Sequence, residues 1–138
     1  MNDAEYDALR LRIGTLIDRW VKTLGLGWWT IAFEYERESA EFHVDDEPRP
    51  KSAACCTADW KYIHATITFN MPRCFPLNDD ELERIFVHEL MHVFLHETRE
   101  GRTEDGWLHE ERVASTLAQA FIWIREDSVK KLTDGRSI

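Results

Sequence analysis

A pair of histidines four residues apart, with a glutamate beside the first, lies inside a strongly apolar stretch of this chain. The segment is His88-Glu89-Leu90-Met91-His92, and the apolar runs 85–87 and 93–95 flank it on both sides. Since an α-helix has about 3.6 residues per turn, positions four apart lie one above the other on the same face. Two imidazoles placed in this way can bind one metal ion, with the glutamate beside them as a proton acceptor. The motif therefore predicts a mostly buried helix that contributes two ligands to a zinc site.

The polar side chains of this motif need binding partners if the helix is buried. Two imidazoles and a carboxylate without partners in an apolar environment would destabilise the fold. The structural alternative to a metal site is a pair of hydrogen-bonded core histidines. His96 extends the series by four more residues, but three ligands from one straight helix fit a tetrahedral ion poorly. We therefore expect His96 to be exposed, to face substrate, or to support the site from outside the ligand set.

A catalytic zinc site usually takes three protein ligands and leaves a fourth position for water. Glu110 and Glu111 begin a downstream helical pattern, and the small residues Ala114 and Ala118 would allow that helix to approach the first one closely. Glu110 projects nearer the centre of the apolar face than Glu111 does. His109 is a further candidate. Spacing alone leaves the third ligand open among these three residues.

The spacing of apolar residues divides the chain into helices and strands. The predicted elements, in chain order, are a helix over 3–24, strands over 28–35, 52–60 and 62–70, and helices over 78–97 and 107–126. Loops or connectors are predicted over 36–51, 71–77 and 98–106, and residues 127–138 are expected to fray. This order predicts one α+β domain spanning 1–138, with helices on one face of a three-stranded antiparallel sheet.

Composition excludes several kinds of partner. The chain has 138 residues, 26 acidic and 17 basic side chains and a formal net charge of −9, so we expect no basic groove for nucleic acid. No apolar run approaches the roughly 20 residues that span a bilayer, and the acidic N-terminus lacks the apolar segment of a secretory signal. The odd number of cysteines is typical of reduced thiols. We therefore expect a cytoplasmic protein that binds neither nucleic acid nor membrane.

The two motifs together resemble those of small zincin-like metallopeptidases of the gluzincin type, namely the minigluzincins and the often phage-encoded ImmA/IrrE-type peptidases. In that family, the helix after the H-E-x-x-H helix carries the pattern E-x-x-A-N-x-F-A. The segment Glu111–Ala118 matches the glutamate, both alanines and an apolar residue in the phenylalanine position. Ser115 stands where the family has asparagine or aspartate. The resemblance implies a zincin-like fold and a Zn²⁺ ion held by His88, His92 and Glu111.

The resemblance also implies a reaction. Glu89 is expected to act as the general base when zinc-activated water hydrolyses a peptide bond in a protein or peptide substrate. The alternative is a zincin-fold protein that binds zinc but acts by binding a partner, for example in phage biology, without proteolysis. Glu89→Gln separates the two, because it removes hydrolysis and leaves metal binding intact.

Overall fold

The computed structural model describes residues 1–38, 43–44, 47–48, 52–99, 101 and 105–135. These ranges contain α1 (Asp3–Thr23), β1 (Thr30–Glu36), β2 (His43–Val44), β3 (Glu47–Pro48), β4 (Ala54–Asp59), β5 (His64–Asn70), α2 (Met71–Cys74), α3 (Asp79–Leu95) and α4 (Asp105–Thr133). The chain is therefore an α+β protein, which confirms the predicted class. Within the same ranges, no helix has the length and apolar character needed to cross a bilayer.

α1 begins with a complete capping box. The Asn2 side chain accepts a hydrogen bond from the Glu5 backbone N–H, and the Glu5 carboxylate accepts one from the Asn2 N–H. The helix stops before Gly25, whose φ of +71° favours glycine. Its buried side chains are Leu9, Ile13, Leu16 and Trp20. This face packs against α3.

The central sheet contains β1, β5 and β4 in that order, and it is mixed. β4 and β5 form an antiparallel hairpin, whereas β1 pairs with β5 in parallel. The prediction of an antiparallel sheet is therefore wrong for β1. Glu36 lies opposite Asn70 and Ala54 lies opposite Phe69, so β1 ends and β4 begins at the same end of the sheet. β4 consequently runs against β1, and the hairpin returns β5 to the direction of β1.

Apolar side chains on one face of this sheet form the core with α1 and α3. Ala65 and Ile67 of β5 are fully buried. Phe86 of α3 packs on Phe69 with ring centroids 5.9 Å apart, and on Phe33 of β1 at 6.2 Å. These contacts fix α3 across the sheet, where it also packs against β4 and α4. The buried helix that carries the histidine motif is therefore confirmed.

Polar contacts hold α3 at its first turn and link it to α1. Asn78 and Glu81 form a capping box. The buried carboxylate of Glu83 accepts hydrogen bonds from Trp20 Nε1 at 2.8 Å and from the Arg19 guanidinium at 3.0 Å. Because this carboxylate has both a neutral and a charged donor, its burial is compensated, and it joins the two helices.

The structure differs from the predicted elements most clearly in three segments. The predicted connector 71–77 contains the short helix α2, which Pro72 can enter because a proline in the first turn lacks only an N–H that would be unpaired there. α4 continues to Thr133 instead of fraying after residue 126, with an exposed ion pair between Asp127 and Lys131 on its last turns. The predicted loop 36–51 contains the antiparallel pair β2 and β3. The rest of that loop, beyond residue 38, lies outside the described residues.

Candidate metal centre

Three potential ligands converge where α3 faces α4. The Nε2 atoms of His88 and His92 are 3.1 Å apart. The carboxylate of Glu111 approaches both of them, with Oε2 at 3.2 Å from His88 Nε2 and Oε1 at 3.0 Å from His92 Nε2. Among the residues that the structure describes, these three form the group of side chains that could hold a metal ion. The structure thus brings together the three residues that the family resemblance implies as ligands, and the third of them is Glu111 rather than Glu110.

The spacing of these atoms suits a tetrahedral cation. Zinc binds imidazole nitrogen and carboxylate oxygen at about 2.0–2.2 Å, which separates neighbouring ligand atoms by about 3.3–3.5 Å. The contacts of 3.0–3.2 Å involve both oxygens of Glu111, and one ligand atom from each of the three residues lies within 4.8 Å of the others, so side-chain shifts would be needed for them to coordinate one ion. Two imidazoles and one carboxylate match the donor types of open catalytic zinc sites, and ferrous iron is also bound by this kind of donor set.

His92 is held by a buried carboxylate behind the cluster. Glu110 is 3% exposed, and its Oε2 lies 2.6 Å from His92 Nδ1. Arg99 donates to the same carboxylate, from Nε at 2.9 Å and from a terminal nitrogen at 2.5 Å. Burial lowers the pKa of His92, but hydrogen bonds to Glu111 and Glu110 outweigh it, so the pKa is raised. Glu110 does face the apolar side of α4, as its position predicted, but it contacts His92 from behind and is not one of the three converging residues.

His88 has a weaker support from α4. Ser115 Oγ lies 3.2 Å from His88 Nδ1, one helical turn beyond Glu111. When Nε2 is directed at a metal ion, Nδ1 carries the proton and donates to the serine hydroxyl. Ser115 thus contacts the first histidine of the motif, although it replaces the amide or acid of the E-x-x-A-N pattern. A neutral hydroxyl on an exposed residue orients the ring less strongly than a carboxylate does.

Electrostatics in the cluster favour an ionised Glu111 and a protonated Glu89. Hydrogen bonds to His88 and then His92 hold the pKa of Glu111 well below its usual range. Burial raises the pKa of Glu89 to about 8, an effect that His88 opposes and Glu111 reinforces. The thiols of Cys55 and Cys56 lie in the same region, and burial followed by the charge of Glu89 raises both of their pKa values. A nearby dication reverses this tendency by favouring the carboxylate form of Glu89.

A cavity of about 280 Å³ opens directly beside the motif. Ala54 of β4 and the two residues before it form one wall, α3 forms the second with His88 and Glu89, and α4 contributes Ser115 and Ala118. Most of its lining is apolar. Sequence spacing gave no indication of this cavity, because its walls come from three elements that are distant along the chain.

The other candidates lie outside the cluster. His109 is exposed and is not one of the three converging residues. His96 is partly buried, and burial lowers its pKa; its Nδ1 has no hydrogen-bond partner within the described part of the chain. Cys74 is buried on α2 with its thiol 3.3 Å from the Ala53 carbonyl oxygen, which fits a packing role.

Comparisons with other proteins add nothing to this picture. No family model, curated protein or solved structure matches the chain. Any functional conclusion therefore depends on the geometry of the site and on the motifs in the sequence.

Proposed function

We propose that this protein is a zinc-dependent metallopeptidase with a zincin-like fold of the gluzincin type. The observation that carries the proposal is the convergence of His88, His92 and Glu111, with the glutamate of the motif buried beside them and lining an open cavity. Neither a helix surface nor a hydrophobic core requires two imidazoles and a carboxylate to point at one another. Each histidine has a hydrogen-bond partner at Nδ1, which leaves Nε2 to face an ion, and this is the arrangement expected around a metal.

Each residue has a role in peptide hydrolysis. His88, His92 and Glu111 hold the ion, which when bound lowers the pKa of water to about 7 and polarises a carbonyl group. Glu89 accepts one proton from the attacking water as its oxygen bonds to the carbonyl carbon. The same carboxyl group then delivers that proton to the leaving nitrogen as the C–N bond breaks. The hydroxyl group of water thereby becomes part of the new carboxyl terminus, and its other proton is transferred to the new amino terminus.

The edge of the sheet suits an extended peptide. Within the described residues, β4 pairs with β5 on one side, and its other edge faces away from the sheet. Residues 52–54 at the start of this strand line the cavity together with His88 and Glu89. A peptide added to β4 as a further strand therefore passes the proposed ion, and its backbone is held by main-chain hydrogen bonds.

Metal analysis and one substitution test the proposal. The purified protein should bind one equivalent of zinc, measured by inductively coupled plasma mass spectrometry after dialysis, and Glu111→Ala should not. Zinc-loaded wild type should cleave members of a peptide library, and zinc-loaded Glu89→Gln should cleave none. Zinc binding without cleavage by the wild type would favour the alternative of a zinc protein that acts by binding a partner. Failure to bind any divalent cation would refute both the peptidase proposal and the alternative of a zinc protein that binds a partner.

A further inference from the structure

The cavity beside the proposed ion contains one cationic side chain at its wall. Arg84 lies on α3 one turn before His88, and both residues line the cavity. Because they share the same space, a group that enters the cavity also lies beside the reacting bond. At about 280 Å³ the cavity is smaller than the pockets that hold whole drug-sized ligands, and it suits a single amino-acid side chain.

The remaining walls offer little to a charged ligand. Most of the lining area is apolar, and the alanine and isoleucine residues in the lining are Ala53, Ala54, Ile85 and Ala118. They favour the methylene groups of a side chain and provide no hydrogen bonds to its end. Polar groups in the lining are confined to Ser52, Ser115, the two motif residues and the arginine.

Arg84 has no carboxylate of its own. Arg12, Arg19 and Arg99 each form an ion pair with an acidic side chain. By contrast, Arg84 forms no hydrogen bond or ion pair with any part of the chain that the structure describes. Arg84 is exposed where it lines the cavity, so its guanidinium remains accessible to a ligand. Its planar guanidinium matches the two oxygens of a carboxylate.

We propose that Arg84 selects substrates that place an aspartate or glutamate side chain in this cavity, next to the scissile peptide bond. The methylene groups of that side chain contact the alanine and isoleucine walls, and its carboxylate pairs with the guanidinium. The negative charge of Glu89 in the same cavity is offset by the dication beside it. The inference rests on the proposed function, since it assigns the specificity of the same site.

A random peptide library and a charge reversal test this role. Zinc-loaded wild type, Arg84→Glu and Arg73→Glu are incubated with the library, and the products are sequenced by mass spectrometry. Arg73 is an exposed arginine on α2 away from the cavity, so its reversal controls for the change in net charge. We expect wild type and Arg73→Glu to prefer an acidic residue over its amide at one fixed position next to the cut, by about tenfold or more. Arg84→Glu should lose this preference and favour lysine or arginine there.

A binding measurement separates this inference from the proposed function. Zinc-loaded Glu89→Gln is immobilised and offered peptide pools that differ only in glutamate or glutamine, and Glu89→Gln/Arg84→Glu is the comparison. Retention of the glutamate pools by the first protein alone supports the role of Arg84, even if the wild type cleaves nothing and the hydrolase proposal fails. Equal retention of both pools, or an acidic preference that survives Arg84→Glu in either assay, overturns it.

Discussion

Replacing Glu110 by glutamine tests whether Glu110 orients His92 while the adjacent Glu111 acts as the proposed ligand. The carboxylate accepts hydrogen bonds from His92 Nδ1 at 2.6 Å and from Arg99 at 2.5–3.1 Å. Glutamine has the same shape, but it is neutral, and one of its two terminal atoms is a donor. If its oxygen stays on His92, its amino group faces the Arg99 Nε–H and that hydrogen bond is lost.

We expect Glu110→Gln to lower both the zinc affinity and the stability of the metal-free protein. Removing the partner that orients a metal-bound imidazole weakens metal affinity by about 10–100-fold, or about 1.4–2.7 kcal/mol. Breaking a buried ion pair costs about 3–5 kcal/mol of stability when one charge is left unpaired. The Arg99 side chain is 22% exposed, so water replaces part of the lost contact. We expect metal-free Glu110→Gln to lose roughly 2–3 kcal/mol of unfolding free energy, equivalent to one or two hydrogen bonds to a charged group.

Competition with a fluorescent zinc chelator gives the affinity, and urea unfolding of the metal-free protein gives the stability. Glu111→Gln is the matched variant, because it removes a proposed ligand whose side chain is 53% exposed. It should lose more zinc affinity than Glu110→Gln and should lose less stability. The opposite order for zinc affinity would show that Glu110 is the ligand and would refute the assignment.

Three further predictions concern the site and the sheet. In the metal-free protein, the unfolded chain releases the Glu89 proton near pH 4.5 and the folded chain retains it up to about pH 8, so stability falls as pH rises through this window. Glu89→Gln should therefore gain stability relative to wild type from the lower to the upper end of that window in urea unfolding, and a constant difference would contradict this. Ser115→Ala should weaken zinc binding by about tenfold or less, because water can replace the exposed hydroxyl on His88; no change in chelator competition would show that the contact is unimportant. Ile63 has a φ of +54° in the β4–β5 turn, and Ile63→Asn should raise the free energy of unfolding by roughly 0.5–1 kcal/mol, because asparagine tolerates this conformation better; a loss of stability would contradict the argument.

Local signals predicted the helices and the hairpin well. Asn78 caps α3 because its side chain and that of Glu81 satisfy backbone N–H groups within the same turn. The spacing of apolar residues in α1 predicts which of its side chains are buried, because the period of the pattern equals the period of the helix. Such features depend on residues close together in the chain, so the sequence determines them without knowledge of the fold.

The direction of β1 and the cavity depend on distant parts of the chain. The alternating pattern of β1 specifies one inward face, and that face is the same whether its neighbour runs parallel or antiparallel. The pairing depends instead on the position of β5 between β1 and β4, which involves segments that are distant along the chain. The cavity likewise requires β4, α3 and α4 to be in position before any wall exists.

The positions of Glu110 and Glu111 agree both with the apolar periodicity of α4 and with the place of the glutamate in the E-x-x-A-N pattern. Consecutive positions on a helix point about 100° apart, so two neighbouring glutamates reach different atoms of a side chain packed against the helix. The apolar face of α4 directs Glu110 into the interior, where only a carboxylate with strong donors is tolerated, and His92 and Arg99 supply them. Glu111 then points to the rim, where it reaches the other nitrogen of His92. One imidazole is thus held from both sides by adjacent residues, so a residue inserted between them would rotate one carboxylate by about 100° relative to the other and break one of the two contacts.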